Sequence, residues 1–247
     1  MPASDAVADG RGVSLRGRLL DRAALDPPTR QAMFALLSTH FTGVDAATFA
    51  ADLDEKTAVV LLEDEAGGLR GFSTLLVYES RAAGRPVTVV YSGDTIVERG
   101  WWGSPALAQG WLRAVRQLAA GGGEVYWLLI TSGFRTYRFL PVFFRAFHPG
   151  IGGGADGLAA LRDLLARERF GDRYDPATGI VRLPRPQVLG DRLLDVADGR
   201  VLDPHVRFFL DLNPGYTAGD ELACLTPLDD ANLTPAGRRV ARRIAGG

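Results

Sequence analysis

Ser92 and Asp94 stand two residues apart at the end of a β-branched and aromatic run, and Arg99, Gly100, Gly103 and Ser104 follow across a short turn. At alternating positions of a strand, Ser92 and Asp94 share one face. A carboxylate placed there can take a proton from a reacting group. Ser104 suits a helix N-cap and Pro105 the first helical position, where no backbone donor is needed. Loop amides and the positive end of that helix then converge on one spot, which suits a phosphate or pyrophosphate. The stretch from Tyr91 to Ala106 is thus read as strand, anion-binding loop and helix start.

The chain that must position these groups has 247 residues, enough for one large domain or two small ones. Its composition is that of a globular protein, 47% hydrophobic and 23% charged. A net charge of −1 gives no global field toward nucleic acid or an anionic membrane. Lys56 is the sole lysine, and the Ala, Gly and Arg bias points to a GC-rich bacterial genome. Cys224 is alone, so no intramolecular disulfide and no Cys-based zinc site is expected, and no metal is called for. The first residues lack a basic patch followed by an apolar run, and no apolar run nears the roughly 18–20 residues of a membrane helix. A cytoplasmic protein without a membrane partner is the expectation.

Periodicity gives the elements. Residues 1–26 read as a mobile tail with one edge strand near Val13 to Leu20. Pro27-Pro28 opens a helix with Met33, Leu36, Leu37, His40 and Phe41 on one face, His40 being read as a hydrogen-bonded core residue. Asp45 caps a short second helix through Phe49 and Leu53. Three strands with short turns follow, at 58–62, 70–79 and 87–97, suggesting an antiparallel meander. Leu107, Ala108, Trp111, Leu112, Val115, Leu118 and Ala119 mark the clearest amphipathic helix. Residues 124–131 form a buried strand, and 134–147 a helix that Pro141 should kink or divide. Leu158, Leu161, Leu164 and Leu165 mark another helix, and 174–203 is loop-rich. Residues 206–212 and 221–228 read as two late strands, with Phe208, Phe209, Tyr216, Leu222 and Cys224 packing them. Thr234-Pro235 starts a C-terminal helix carrying Arg238, Arg239, Arg242 and Arg243, read as a solvated face.

This order, with a phosphate-type loop between the third meander strand and the central helix, resembles the GCN5-related N-acetyltransferase (GNAT) superfamily. The segment Phe143-Phe144-Arg145-Ala146-Phe147-His148-Pro149 is similar to that family's helix end. The resemblance implies an α/β (α+β) fold, a mixed and mostly antiparallel sheet flanked by helices, with an insertion before the last two strands. It divides the chain into a tail at 1–26, a core at 27–150, an inserted region at 151–205, and last strands with a basic helix at 206–247. It also implies that the strand before the loop and the one after the central helix splay apart to take the pantetheine arm of acyl-CoA as cosubstrate.

On that resemblance Thr95, Ile96 and Val97 would offer backbone groups to the donor, and Arg99, Gly100, Gly103 and Ser104 would hold its pyrophosphate. Asp94 would deprotonate a small-molecule amine acceptor. Tyr137 would protonate the leaving thiolate, and His148 is a further acid or base candidate. The loop departs from the family's Gln/Arg-x-x-Gly-x-Gly/Ala pattern at Trp101, Trp102 and Pro105. With Arg135, Arg138 and Arg145 in a segment free of acidic residues, an acyl carrier protein or an aminoacyl-tRNA is the alternative donor. A non-catalytic binding protein of this fold is the remaining reading. The insertion suits a lid and a specialised biosynthetic acceptor.

Overall fold

The computed structural model describes residues 14–82, 84–153, 157–190 and 203–245. Residues 1–13 of the expected N-terminal tail and residues 191–202 of the expected loop-rich stretch lie outside them. The fold is a mixed α/β layered sheet in the order β1-β3-β4-β5-β6-β10-β8-β7. Its strands are β1 (Arg16–Asp21), β3 (Ala58–Glu63), β4 (Leu69–Ser80), β5 (Val87–Val97), β6 (Val125–Thr131), β7 (Tyr174–Asp175), β8 (Ile180–Val181) and β10 (Glu221–Pro227). All described neighbours in it are antiparallel except β5 and β6. A separate two-stranded ladder joins β2 (Phe41–Thr42) to β9 (Val188–Leu189).

The helices are α1 (Pro27–His40), α2 (Ala46–Asp54), α3 (Ala106–Leu118), α4 (Phe134–Tyr137), α5 (Phe139–Phe143), α6 (Leu158–Phe170), α7 (Pro204–Leu212) and α8 (Pro235–Ala245). Asp26 and Asp45 cap α1 and α2 by accepting amide hydrogen bonds from the first turn. Alternation along β3 sends Val60 and Leu62 toward α3, and Val59 and Leu61 toward α1 and α2. The sheet is therefore covered on both faces. None of the described helices is long and apolar enough to cross a membrane.

Three local outcomes differ from or refine the sequence expectations. Residues 206–212 are helix, not strand: Asp203 caps α7, Pro204 opens it, and Val206 and Phe209 bury one helical face. A short apolar run does not by itself tell strand from helix. The segment 134–147 divides into α4 and α5 at Arg138, since Pro141 has no amide hydrogen for the Tyr137 carbonyl. In α3 the buried stripe includes Ala106, Gly110 and Ala114, rotated from the expected one. A Cβ at Gly110 would stand 2.8 Å from Val60 Cγ1, so the missing side chain lets the helix axis approach β1 and β3.

Parallel pairing of β5 with β6 runs only from Thr88–Val125 to Ser92–Leu129. At its end Ser92 Oγ accepts from Trp111 Nε1 of α3 at 3.1 Å and from Trp127 Nε1 of β6 at 2.8 Å. The two indoles pack with centroids 4.4 Å apart. One hydroxyl thus fastens central helix, β5 and β6 together, and beyond it the two strands part. Replacing Ser92 by Ala would orphan two buried indole donors, and should lower unfolding free energy by about 2–5 kcal/mol. Urea denaturation followed by tryptophan fluorescence measures this; a loss below about 0.5 kcal/mol would refute the assignment.

Candidate functional site

Just past Ser92 the ladder between β4 and β5 slips. Ser73 faces Thr95 and Leu75 faces Ser92, so Thr74 alone opposes Gly93 and Asp94. This β-bulge inverts the side-chain parity of β5. Val89 and Tyr91 share a core with α6, and beyond the bulge Ile96 packs with α1 and α2. Ser92 points at α3, whereas Asp94 interacts with Asp52 and Lys56 from the α2 side. The expected common face for Ser92 and Asp94 is therefore overturned: Ser92 is a structural hydroxyl, and Asp94 faces the other way. Gly93 is required at the bulge. A Cβ there would lie 2.6 Å from Thr74 Oγ1 and 2.7 Å from Lys56 Cε.

The parting of β5 and β6 opens a cleft of about 780 Å³. Leu107 of α3 lines it on one side of the sheet, and Thr48 and Asp52 of α2 on the other. Gly93, Asp94, Thr95, Ile96 and Val97 line it along β5, and Ile130 to Gly133 line it opposite. The inserted region contributes a wall from Leu183 to Leu189, held by the pairing of Phe41 with Leu189 and Thr42 with Val188. His40 also lines the cleft, with Nδ1 hydrogen-bonded to the Leu36 carbonyl oxygen at 3.0 Å.

Sequence reasoning missed part of the acidic floor. Asp52 from α2 and Glu221 from β10 join Asp94 in lining the cleft. Burial pushes the Asp94 carboxyl up to about 7, with Asp52 adding to the rise and Lys56 opposing it. Burial also pushes Glu221 up to about 8, reinforced by Asp94 and Asp52. Lys56 is buried and its Nζ donates to Asp52 at 2.6 Å. It also stands 5.5 Å from the Tyr91 ring centroid, and Arg169 of α6 stands 5.2 Å from the same ring. In the sequence, only the Asp52–Lys56 helical spacing and the uniqueness of Lys56 hinted at this cluster.

The donor-loop candidates gather at the cleft less completely than expected. Gly103 and Ser104 line it, while Arg99 and Gly100 are exposed in a 3-10 turn beside it. Helix α3 begins at Ala106 with Pro105 as its cap residue, one place later than expected, and Ser104 Oγ accepts from the Ala106 amide at 3.2 Å. The amides of Trp101, Trp102 and Ser104 are engaged by the Glu98, Arg99 and Trp101 carbonyls at 2.9, 3.2 and 3.1 Å. Trp102 Nε1 donates to the Val97 carbonyl at 2.8 Å, and its ring lies 4.5 Å from the Arg135 guanidinium. Arg138 also lines the cleft and pairs with Asp203 at 3.0 Å; Arg145 is exposed elsewhere.

Tyr137 and His148 are not brought to the cleft. Tyr137 is fully buried against Phe209 and Phe147, and its hydroxyl donates to the Pro149 carbonyl at 2.9 Å. Burial holds its phenol well above the ordinary value, so it is a poor proton source in this position. His148 bridges to Leu225 of β10, and burial together with Arg162 keeps its imidazole below the ordinary range.

No family model matches the chain, and no curated protein matches its sequence. Solved structures share part of the arrangement. A conserved protein of unknown function from Enterococcus faecalis, described as a probable N-acyltransferase, gives a TM-score of 0.40 at 11% identity over 54% of this chain. That match spans only 33% of the Enterococcus protein. A GNAT family N-acetyltransferase (YhbS) from Escherichia coli in complex with CoA gives 0.38 at 18% identity, over 51% of this chain and 68% of its own. Aminoglycoside N-acetyltransferase AAC(6')-Iy in complex with CoA gives 0.39 at 16% identity, over 53% of this chain and 85% of its own. Likeness at this level adds no argument to the sheet order and strand splay described above.

The two raised carboxyls set a pH dependence of stability. Each binds its proton more tightly folded than unfolded, so their stabilising contribution is complete below their ordinary values of 3.8 and 4.5. It is lost as pH rises through about 7 for Asp94 and about 8 for Glu221. The melting temperature should therefore fall across that window, and the double variant Asp94→Asn, Glu221→Gln should flatten the fall. An unchanged slope in the variant would show that other groups control it.

Proposed function

We propose that this protein is an N-acyltransferase, carrying an acyl group from a thioester donor, acyl-CoA by default, to an amine of a small molecule in the cytoplasm. The observation that carries this reading is Asp94 beside the gap between β5 and β6, with a carboxyl that titrates near neutrality. Beyond Ser92, β5 offers backbone groups that β6 does not pair, which suits an extended pantetheine arm lying along the strand. The acceptor would enter from the α2 side, where Asp52, Asp94 and Glu221 line the cleft.

In this mechanism the ionised Asp94 carboxylate first takes a proton from the acceptor ammonium, which frees the nitrogen lone pair to attack the thioester carbonyl carbon. Once the nitrogen of the tetrahedral adduct has given its second proton to water, collapse breaks the carbon–sulfur bond and releases the thiol after protonation. The Asp94 proton or water can supply that last step, since Tyr137 is committed to Pro149. Most of the acceleration would come from holding nitrogen and carbonyl together in a partly dehydrated cleft. The wall from Leu183 to Leu189 favours a specialised biosynthetic acceptor over a large macromolecular one.

The loop amides already engaged within the 3-10 turn support a second donor, an acyl carrier protein, whose phosphopantetheine needs no grip on a CoA pyrophosphate. A direct comparison separates the two. Saturable acetyl-CoA binding and acetyl transfer to an amine are expected for the CoA reading. No thermal shift with acetyl-CoA, in a folded protein that accepts acyl groups from carrier-bound thioester, would replace it. Asp94→Asn should lower kcat about 10²- to 10⁴-fold with little change in donor KM, and should remove the rise of kcat/KM through about pH 7. Turnover unaffected by that change would leave a binding protein as the better account.

A further inference from the structure

Two carboxylates in the cleft have no cation paired with them among the described residues, Lys56 acting on Asp94 only through space. Among the described residues, neither Asp94 nor Glu221 makes a hydrogen bond or an ion pair, yet both are enclosed by protein except toward the cleft. The cations at the cleft have contacts of their own, Arg135 lying over the Trp102 and Phe134 rings. Lys56 donates to Asp52, Arg138 pairs with Asp203, Arg185 pairs with Asp45 at 2.9 Å, and Arg173 Nε donates to the Phe170 carbonyl at 3.0 Å. Enclosed carboxylates without partners are unfavourable in the ionised form. Among the described residues no three Asp, Glu, His or Cys side chains are close enough together to hold a metal ion. The floor is therefore arranged for charge that is spread over an organic molecule.

We propose that the acceptor is a polycation with at least two ammonium groups, Glu221 pairing with a nitrogen that keeps its charge while Asp94 faces the nitrogen that is acylated. The inference rests on the acyl-transfer reading of the same cleft. A monoamine becomes neutral when Asp94 takes its proton, leaving Glu221 without a paired cation among the described residues. A second ammonium stays charged throughout and offsets Glu221 at every stage. The cleft volume of about 780 Å³ admits such a molecule, and Tyr91, Phe41 and Leu189 supply apolar surface for its carbon skeleton.

The test is calorimetric binding to the intact chain, without acyl donor, at mildly alkaline pH so that both carboxyls ionise. The probes are spermidine, the amino sugar kanamycin and the monoamine hexylamine. Spermidine or kanamycin should bind at least about tenfold more tightly than hexylamine. Glu221→Gln should remove most of that preference while keeping the melting transition, and Glu221→Asp should retain part of it. Which polycation binds better distinguishes a linear polyamine from an amino sugar. Equal affinity for mono- and polyamines, or a preference that survives in folded Glu221→Gln, would overturn the proposal. Polyamine binding without acyl transfer from any thioester would uphold the Glu221 subsite and refute the transferase reading. Transfer with no preference for polyamines would do the reverse.

Discussion

The hydroxyl of Ser92 is the point at which two strands stop being partners. Up to Ser92, β5 and β6 form a parallel ladder buried on both faces; past it, a bulge at Gly93 and Asp94 turns β5 away. Two indole donors converge on that hydroxyl from α3 and from β6, so the helix, the ladder and the start of the gap are fixed by one buried node. A parallel pair that simply frayed would leave strand edges free to re-pair. Here Trp111 and Trp127 fill the space beneath the parting strands, and Phe144 packs on Trp127 with centroids 5.9 Å apart. The gap is thus a built feature of the core.

That geometry carries an electrostatic consequence. The bulge directs Asp94 to the side of the sheet where Asp52 and Glu221 also stand; Lys56 pairs with Asp52 and acts on Asp94, and burial encloses Asp94 and Glu221. Carboxyls enclosed in this way hold their protons toward neutral pH and weaken the fold when ionised. A protein shaped for stability alone would replace one of them by an apolar group or add a cation. On the proposed reading, retaining the excess would make the cleft receptive to amines. Tyr91, between Lys56 and Arg169, ties this floor to the inserted helix α6, so the floor and the insertion are mechanically connected.

Much of the architecture was legible as local pattern. Strand alternation, the caps at Asp26 and Asp45, the break enforced by Pro141 and the amphipathic stripe of α3 are consequences of residues within a turn or two of each other. The misread stretch at 206–212 shows the limit. Its apolar residues fit either period over so short a run, and the packing of Val206 and Phe209 beneath Tyr137 decided for helix. At the loop, sequence located the strand-to-helix turn, but Trp102 folding back onto Val97 could not be read from its spacing.

By itself the sequence determined the order of elements from α1 to β6, because periodicity and capping are local physics that neighbouring residues settle among themselves, and its resemblance to a known family singled out Asp94. Only the tertiary structure decided which way Asp94 faces, which residues join it and how strongly it holds its proton. A one-residue bulge changes the parity of every side chain after it, and it arises from pairing between strands rather than from either strand alone. Likewise Asp52, Asp94 and Glu221 come from separate parts of the chain, and the raised proton affinity of Asp94 and Glu221 exists only because folding buries them at one cleft.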